Sequence, residues 1–141
     1  MKVLLDSNVA IDMLLENQPF WASSVKVIGL SKLSIGLFLS ASAITDIYYI
    51  VSRAMKSKQI AMSLIKKLLI NVGIASVTDK EIRLAVNLDW DDFEDAVQYT
   101  AGESLAVDYI VTRNKADFAS AALPIVSPDE LLALLISPDE S

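Results

Sequence analysis

The chain has 141 residues, is 53% hydrophobic, carries a formal net charge of −6 and contains neither cysteine nor histidine. That length buries an adequate core as one domain without disulfides or metal staples. The missing residue types exclude thiolate nucleophiles, Ser–His–Asp triads, imidazole bases and thiolate or imidazole zinc sites. Chemistry must rest on carboxylates, amides, hydroxyls, Lys or Arg, and a bound metal would take an oxygen shell of the kind that suits magnesium or manganese.

The chain opens on "VLLDSNVAID", a short apolar run from Lys2 to Leu5 that leads directly into Asp6, with Ser7 and Asn8 behind it. Asp6 fits either a helix N-cap or a ligand at the tip of a strand. Helical periodicity follows over Asn8–Leu15 and Phe20–Leu33, and a second strand-like run spans Gly36–Leu39. Further helices are predicted over Ile44–Met55 and Gln59–Ile70, a strand over Ile74–Val77, and helices over Asp79–Asn87 and Phe93–Glu103. Strands at Tyr109–Val111 and Pro124–Val126 and a last amphipathic helix through Ile136 complete the pattern. Thr78-Asp79-Lys80-Glu81 and Ser127-Pro128-Asp129-Glu130 read as capping boxes.

The strand runs are short and continuous rather than alternating, as expected of strands covered on both faces. Strands alternating with helices imply an α/β fold with a mainly parallel sheet, whose ligands bind beyond the carboxyl ends of the strands. No repeat, low-complexity tract or linker divides the chain, so residues 1–141 read as a single domain. The longest charge-free apolar stretch, between Lys32 and Asp46, is broken by Gly36 and serines and falls short of the ~20 residues of a membrane span. Asp6 interrupts any signal-peptide pattern, which makes the expected location cytoplasmic. The mean hydropathy of +0.45 then implies a densely buried sheet or an apolar oligomer surface.

Four acids stand out. Asp6 follows the first strand, and Asp46 lies in "SAITDIYYI", a helix whose apolar neighbours suggest burial. Asp95 lies in "DWDDFEDAVQ", followed by Ala96 and Val97, and should point inward; Asp89 to Asp92 read as charge at a helix N-terminus. Asp117 ends "DYIVTRNKAD", where Thr112 and Asn114 offer neutral oxygen donors and Arg113 and Lys115 offer positive charge. Four carboxylates in one pocket repel one another without a cation. Divalent metal resolves that conflict and supports in-line displacement at phosphorus without histidine.

In this order and spacing, "LLDSNVAID", "SAITDIYYI", "DFEDAVQ", "DYIVTRNKADF" and "PIVSPDELL" resemble PIN-domain ribonucleases, above all the VapC-like toxins of toxin–antitoxin pairs. The resemblance implies a three-layer α/β/α sandwich, Mg2+- or Mn2+-dependent cleavage of RNA, a homodimer and a small antitoxin lying in an apolar groove. Carried across residue by residue, it makes Asp6, Asp95 and Asp46 metal-binding acids and places Asp117, Asn114 and Thr112 in the catalytic set. Asp46 stands where many relatives carry Glu, and Asn114 where many carry Asp. Asn8, Arg53, Lys56, Arg113 and Lys115 are the expected substrate contacts, and Trp21 and Trp90 are candidates for stacking on bases or for the core. Two other readings stay open: a catalytically degenerate PIN fold used for RNA binding or assembly, and an aspartate-based phosphatase or phosphotransfer protein.

Overall fold

The computed structural model describes residues 1–135, so the expected end of the last helix at Ile136 lies outside the described residues. Five strands appear among them: β1 (Lys2–Leu5), β2 (Gly36–Ser40), β3 (Gly73–Ala75), β4 (Tyr109–Val111) and β5 (Ile125–Val126). They form one sheet in the order β3–β2–β1–β4–β5, and every pairing is parallel. The first strand in sequence is thus the central one, and the strand order reverses between β1 and β4. In an open parallel sheet that reversal opens a crevice beyond the carboxyl ends of the strands.

Side chains alternate across the sheet even though the strands read as unbroken apolar runs. Val3, Leu5, Leu37, Leu39, Val111 and Val126 face one layer of helices, while Leu4, Ile110 and Ala75 face the other. The first layer holds α1 (Ser7–Leu14), α2 (Trp21–Gly29), α3 (Ala41–Met55), α4 (Lys58–Asn71) and α7 (Pro128–Leu134). The second holds α6 (Phe93–Leu105), backed by α5 (Asp79–Leu88). This is the expected three-layer α/β/α sandwich. α6 approaches β1 closely: a Cβ on Gly102 would sit 3.2 Å from Leu4 Cδ2, so glycine there sets the spacing between helix and sheet.

The expected helices all form, with shifted ends. Ser40 caps α3 by accepting from Ala43 N at 3.2 Å, which starts that helix three residues before Ile44. The Phe20–Leu33 helix tightens into a 3-10 turn over Leu30–Leu33 and stops at Ser34, whose φ is 64°. The strand expected over Ile74–Val77 is displaced to Gly73–Ala75, because the chain turns toward the Thr78 cap, where Glu81 Oε1 accepts from Thr78 N at 2.7 Å. The second capping box is also present: Ser127 N donates to Glu130 Oε1 and Glu130 N donates to Ser127 Oγ. One element went unread, a 3-10 turn over Lys115–Phe118. Among the described residues no helix is long and apolar enough to cross a membrane.

Candidate active site at the carboxyl edge of the sheet

Asp6 leaves β1 at the strand-order reversal and occupies the N-cap position of α1, but its carboxylate does not cap the helix. It turns instead toward β4. Thr112 Oγ1 donates to Asp6 Oδ2 at 2.7 Å, and Asn8 Nδ2 donates to the same oxygen at 3.0 Å. The Thr112 hydroxyl accepts in turn from the Asn114 backbone N–H at 3.0 Å and from Asn8 Nδ2 at 3.3 Å. Asp6 is 5% exposed. Burial raises its carboxyl above the ordinary value, against the opposing pull of Thr112, Gln98 and Ser7.

Asp95 comes from the other layer. Asp92 is the N-cap of α6, its side chain accepting from Asp95 N at 3.1 Å, so Asp95 lies in the first turn and not beyond it. Because Asp92 does the capping, the Asp95 carboxylate is free to face the crevice. It is pushed up to about 7, first by burial and then by the charges of Asp6, Asp92, Asp117 and Glu94. Asp6, Asp95 and Asp117 therefore share one electrostatic neighbourhood. Asp95 and Asp117 also line an acidic cleft of about 340 Å³ with Asp89, Asp91 and Asp92.

Asp46 corrects an expectation. Its helix is not buried all round: Tyr49 is 64% and Ile50 45% exposed, and Asp46 itself is half-buried. Its carboxylate faces Glu94, whose own carboxyl it raises above the ordinary value, with burial and Asp92 adding to the effect. Glu94 is the acid that residue-by-residue reading missed. It precedes Asp95 in "DFEDAVQ", and nothing in the spacing along one helix reveals that α3 comes to meet it.

The neutral residues are placed as expected in part. Thr112 is buried and bonded to Asp6; Asn114 contributes its backbone N–H. Asn8, expected to meet substrate, belongs to the hydrogen-bond network of Asp6. Arg113 and Lys115, expected to meet phosphates, are each held by an acid of the chain. Arg113 Nε donates to Asp12 Oδ2 at 2.8 Å, and Lys115 Nζ lies 2.8 Å from Glu130 Oε1. Arg53 and Lys56 are exposed at the end of α3 and have no ion-pair partner among the described residues. Trp90 packs inward, stacked on Tyr99 at 4.9 Å and edge-on to Phe118, which agrees with the core alternative of its two readings. Trp21 is half-buried at the start of α2.

Among the described residues, none of the ion pairs involves Asp6, Asp46, Glu94, Asp95 or Asp117. No group of three or more acids there is arranged to hold a cation as it stands. Two buried oxygens beside Asp6, Asn8 Oδ1 and Gln98 Oε1, have no hydrogen-bond partner. An all-oxygen donor set with uncompensated charge fits a hard divalent cation such as Mg2+ or Mn2+.

A parallel α/β sandwich with paired carboxylates beyond the ends of β1 and β4 and at the start of α6 defines a class, the PIN domain, and the family's model matches residues 2–116. The chain belongs to the PIN domain family. It is 26% identical over 137 residues to Ribonuclease VapC1 of Aquifex aeolicus (strain VF5), covering 92% of each chain. Its fold is similar to that of VapBC2 from Rickettsia felis bound to a DNA fragment from their promoter, with a TM-score of 0.71 at 16% identity, over 90% of this chain and 98% of that one. It is likewise similar to a toxin–antitoxin complex from Klebsiella pneumoniae, with a TM-score of 0.65 at 18% identity, over 89% and 97% of the two chains.

Proposed function

We propose that this chain is a metal-dependent endoribonuclease that hydrolyses RNA phosphodiesters, the toxin of a toxin–antitoxin pair. What supports the reading is the electrostatic neighbourhood that Asp95 shares with Asp6 and Asp117, on the acidic cleft that Asp95 and Asp117 line, with no cation of the chain paired to them among the described residues. Membership of the PIN domain family and the curated relative named as a ribonuclease support it.

Asp6 and Asp95 would hold Mg2+ or Mn2+, with Asp46 and Glu94 completing the acidic wall on the α3 side. A cation bound there supplies charge neutralisation at phosphorus and activation of water for in-line attack. Thr112 and Asn8 hold Asp6 through one oxygen, Oδ2, while Ser7 Oγ donates to the other, Oδ1, at 3.4 Å. Asn114 holds Thr112, and Asp117 adds charge at the rim of the cleft. Arg53 lies two turns beyond Asp46 on the same face of α3, ~10 Å along the helix, and with Lys56 offers phosphate contacts leading away from the acids.

The toxin would work in the cytoplasm as a homodimer, under the control of a small antitoxin. Exposed Tyr49, Ile50, Ile60 and Met62 on α3 and α4 supply apolar surface for such partners. An antitoxin that places Arg or Lys among the acids would inhibit by replacing the cation's charge. Cleavage of labelled RNA with Mn2+, abolished by EDTA and by Asp6→Asn or Asp95→Asn in folded protein, tests the reading. Equal cleavage by wild type and both variants would refute it, and capture of a small basic protein from the native host would support the toxin role.

A further inference from the structure

Arg113 directly follows Thr112, yet its side chain runs away from the acidic cleft. Its Nε donates to Asp12 Oδ2 at 2.8 Å, Nη2 reaches Oδ1 at 3.5 Å, and Cζ lies 4.4 Å from the centroid of the Phe20 ring. Asp12 is 1% exposed, in a helix of otherwise apolar and small residues. A charge so buried is tolerable only with a well-placed partner. Asn17 Nδ2 supplies a second donor, to Oδ1 at 3.1 Å.

Asp12 lies one turn beyond Asn8 on the same face of α1. The two therefore grip consecutive residues of the turn after β4: Asn8 bonds Thr112, and Asp12 bonds Arg113. That turn carries the hydroxyl that holds Asp6 and the Asn114 N–H that closes on the same hydroxyl. It then leads into Asp117 on the rim of the cleft.

We propose that Asp12 and Arg113 are positioning residues for Asp6: their buried pair, covered on one side by Phe20, fastens the 112–114 turn to α1 and so keeps the Thr112 hydroxyl on the Asp6 carboxylate. Neither residue touches RNA or cation. Arg113 spends its charge on Asp12 and is not a phosphate contact. The kinetic part of the test rests on the nuclease reading above; the exchange part does not.

The experiment compares Asp12→Asn, Arg113→Gln, Arg113→Lys and the Asp12→Asn/Arg113→Gln pair, all well below their unfolding midpoints. It reads kcat and KM on labelled RNA with Mn2+, the salt dependence of KM, and hydrogen exchange at the Thr112 and Asn114 amides by NMR. Asp12→Asn and Arg113→Gln should each lower kcat by ~10- to 100-fold, a scale typical of residues supporting a metal ligand. KM should stay within about twofold. The double variant should be no worse than the worse single one, because both changes release the same strut. Arg113→Lys should recover part of the loss, since an ammonium still reaches Asp12. Exchange at Asn114 should quicken in step with the loss of kcat while α6 amides hold.

A raised KM with a shallower salt dependence in the Arg113 variants alone would overturn the inference in favour of a phosphate contact. Unchanged kcat, or additive losses in the double variant, would overturn it as well. If the charge variants do not fold, Phe20→Leu removes only the ring over the guanidinium, and unaltered Asn114 exchange there overturns the inference. Wild-type protein that cleaves no RNA would refute the nuclease reading alone, and Asn114 exchange would then decide this inference by itself.

Discussion

Asp95→Asn should make the cation-free protein more stable while removing its activity. Asp95 is pushed from 3.8 to about 7, so its ionised form is disfavoured in the folded chain. A group whose folded pKa is raised contributes stability below its unfolded value, and that contribution is lost as pH rises through about 7. At pH 8 the full shift corresponds to an upper limit of ~4 kcal/mol of strain. Asp95 is only half-buried, and screening by solvent cuts the figure by about half or more. Losing a favourable carboxylate from the first turn of α6 takes back ~0.5 kcal/mol. The net expectation is a gain of ~1–2 kcal/mol, or ~3–6 °C in Tm for a domain of this size.

The assay is thermal and urea unfolding in EDTA at pH 8 and pH 4, repeated with Mn2+. Asn at 95 should stabilise at pH 8, show no gain at pH 4, and lose most of the Mn2+-induced rise in Tm seen in wild type. A variant that is equally or less stable than wild type at pH 8 in EDTA would refute the claim that Asp95 is held against the charges of Asp6, Asp92, Asp117 and Glu94.

Thr112→Val keeps the side-chain shape but leaves Asp6 without its shortest hydrogen bond, at 2.7 Å. It should cost ~2–3 kcal/mol at neutral pH by urea unfolding, less at pH 4, where Asp6 is closer to neutral. Glu81 is held down at about 2 by the Thr78 hydroxyl, the Thr78 N–H and Ser104. Its stabilising contribution is therefore complete above its ordinary value and is lost as pH falls toward 2; Glu81→Gln should flatten that part of the acid-unfolding curve. Gly102→Val forces side-chain atoms against Leu4 and Val107, and urea unfolding should show a loss of ~1–3 kcal/mol.

The fold was legible because each strand is a short apolar run closed by a hydroxyl, amide or acid, and those closing residues cap helices or face the crevice as their chemistry dictates. Ser40 and Ser127 cap, while Asp6 sits in the capping position but faces Thr112. What could not be read was pairing between elements. A buried carboxylate needs a partner, a rule with little force for Asp46, on a helix whose outer face is open. It applies with more force to Asp12, 1% exposed in "SNVAIDML" and paired to Arg113. Arg113 and Lys115 in the loop "TRNK" read as substrate contacts for the same reason: the sequence does not say that Asp12 and Glu130 come to meet them. Glu94 escaped notice because its neighbour is Asp46, on a helix from the other layer.

The central place of the first strand also governs when the enzyme can become competent during synthesis. Asp6 leaves the ribosome early, but the hydroxyl that orients it belongs to Thr112, made 106 residues later. At bacterial-to-eukaryotic elongation rates of ~5–20 residues per second, the carboxylate waits roughly 5–20 s for its companion. A ribosome making this chain is thus not confronted with an assembled acidic centre until most of the polypeptide has been released from the tunnel.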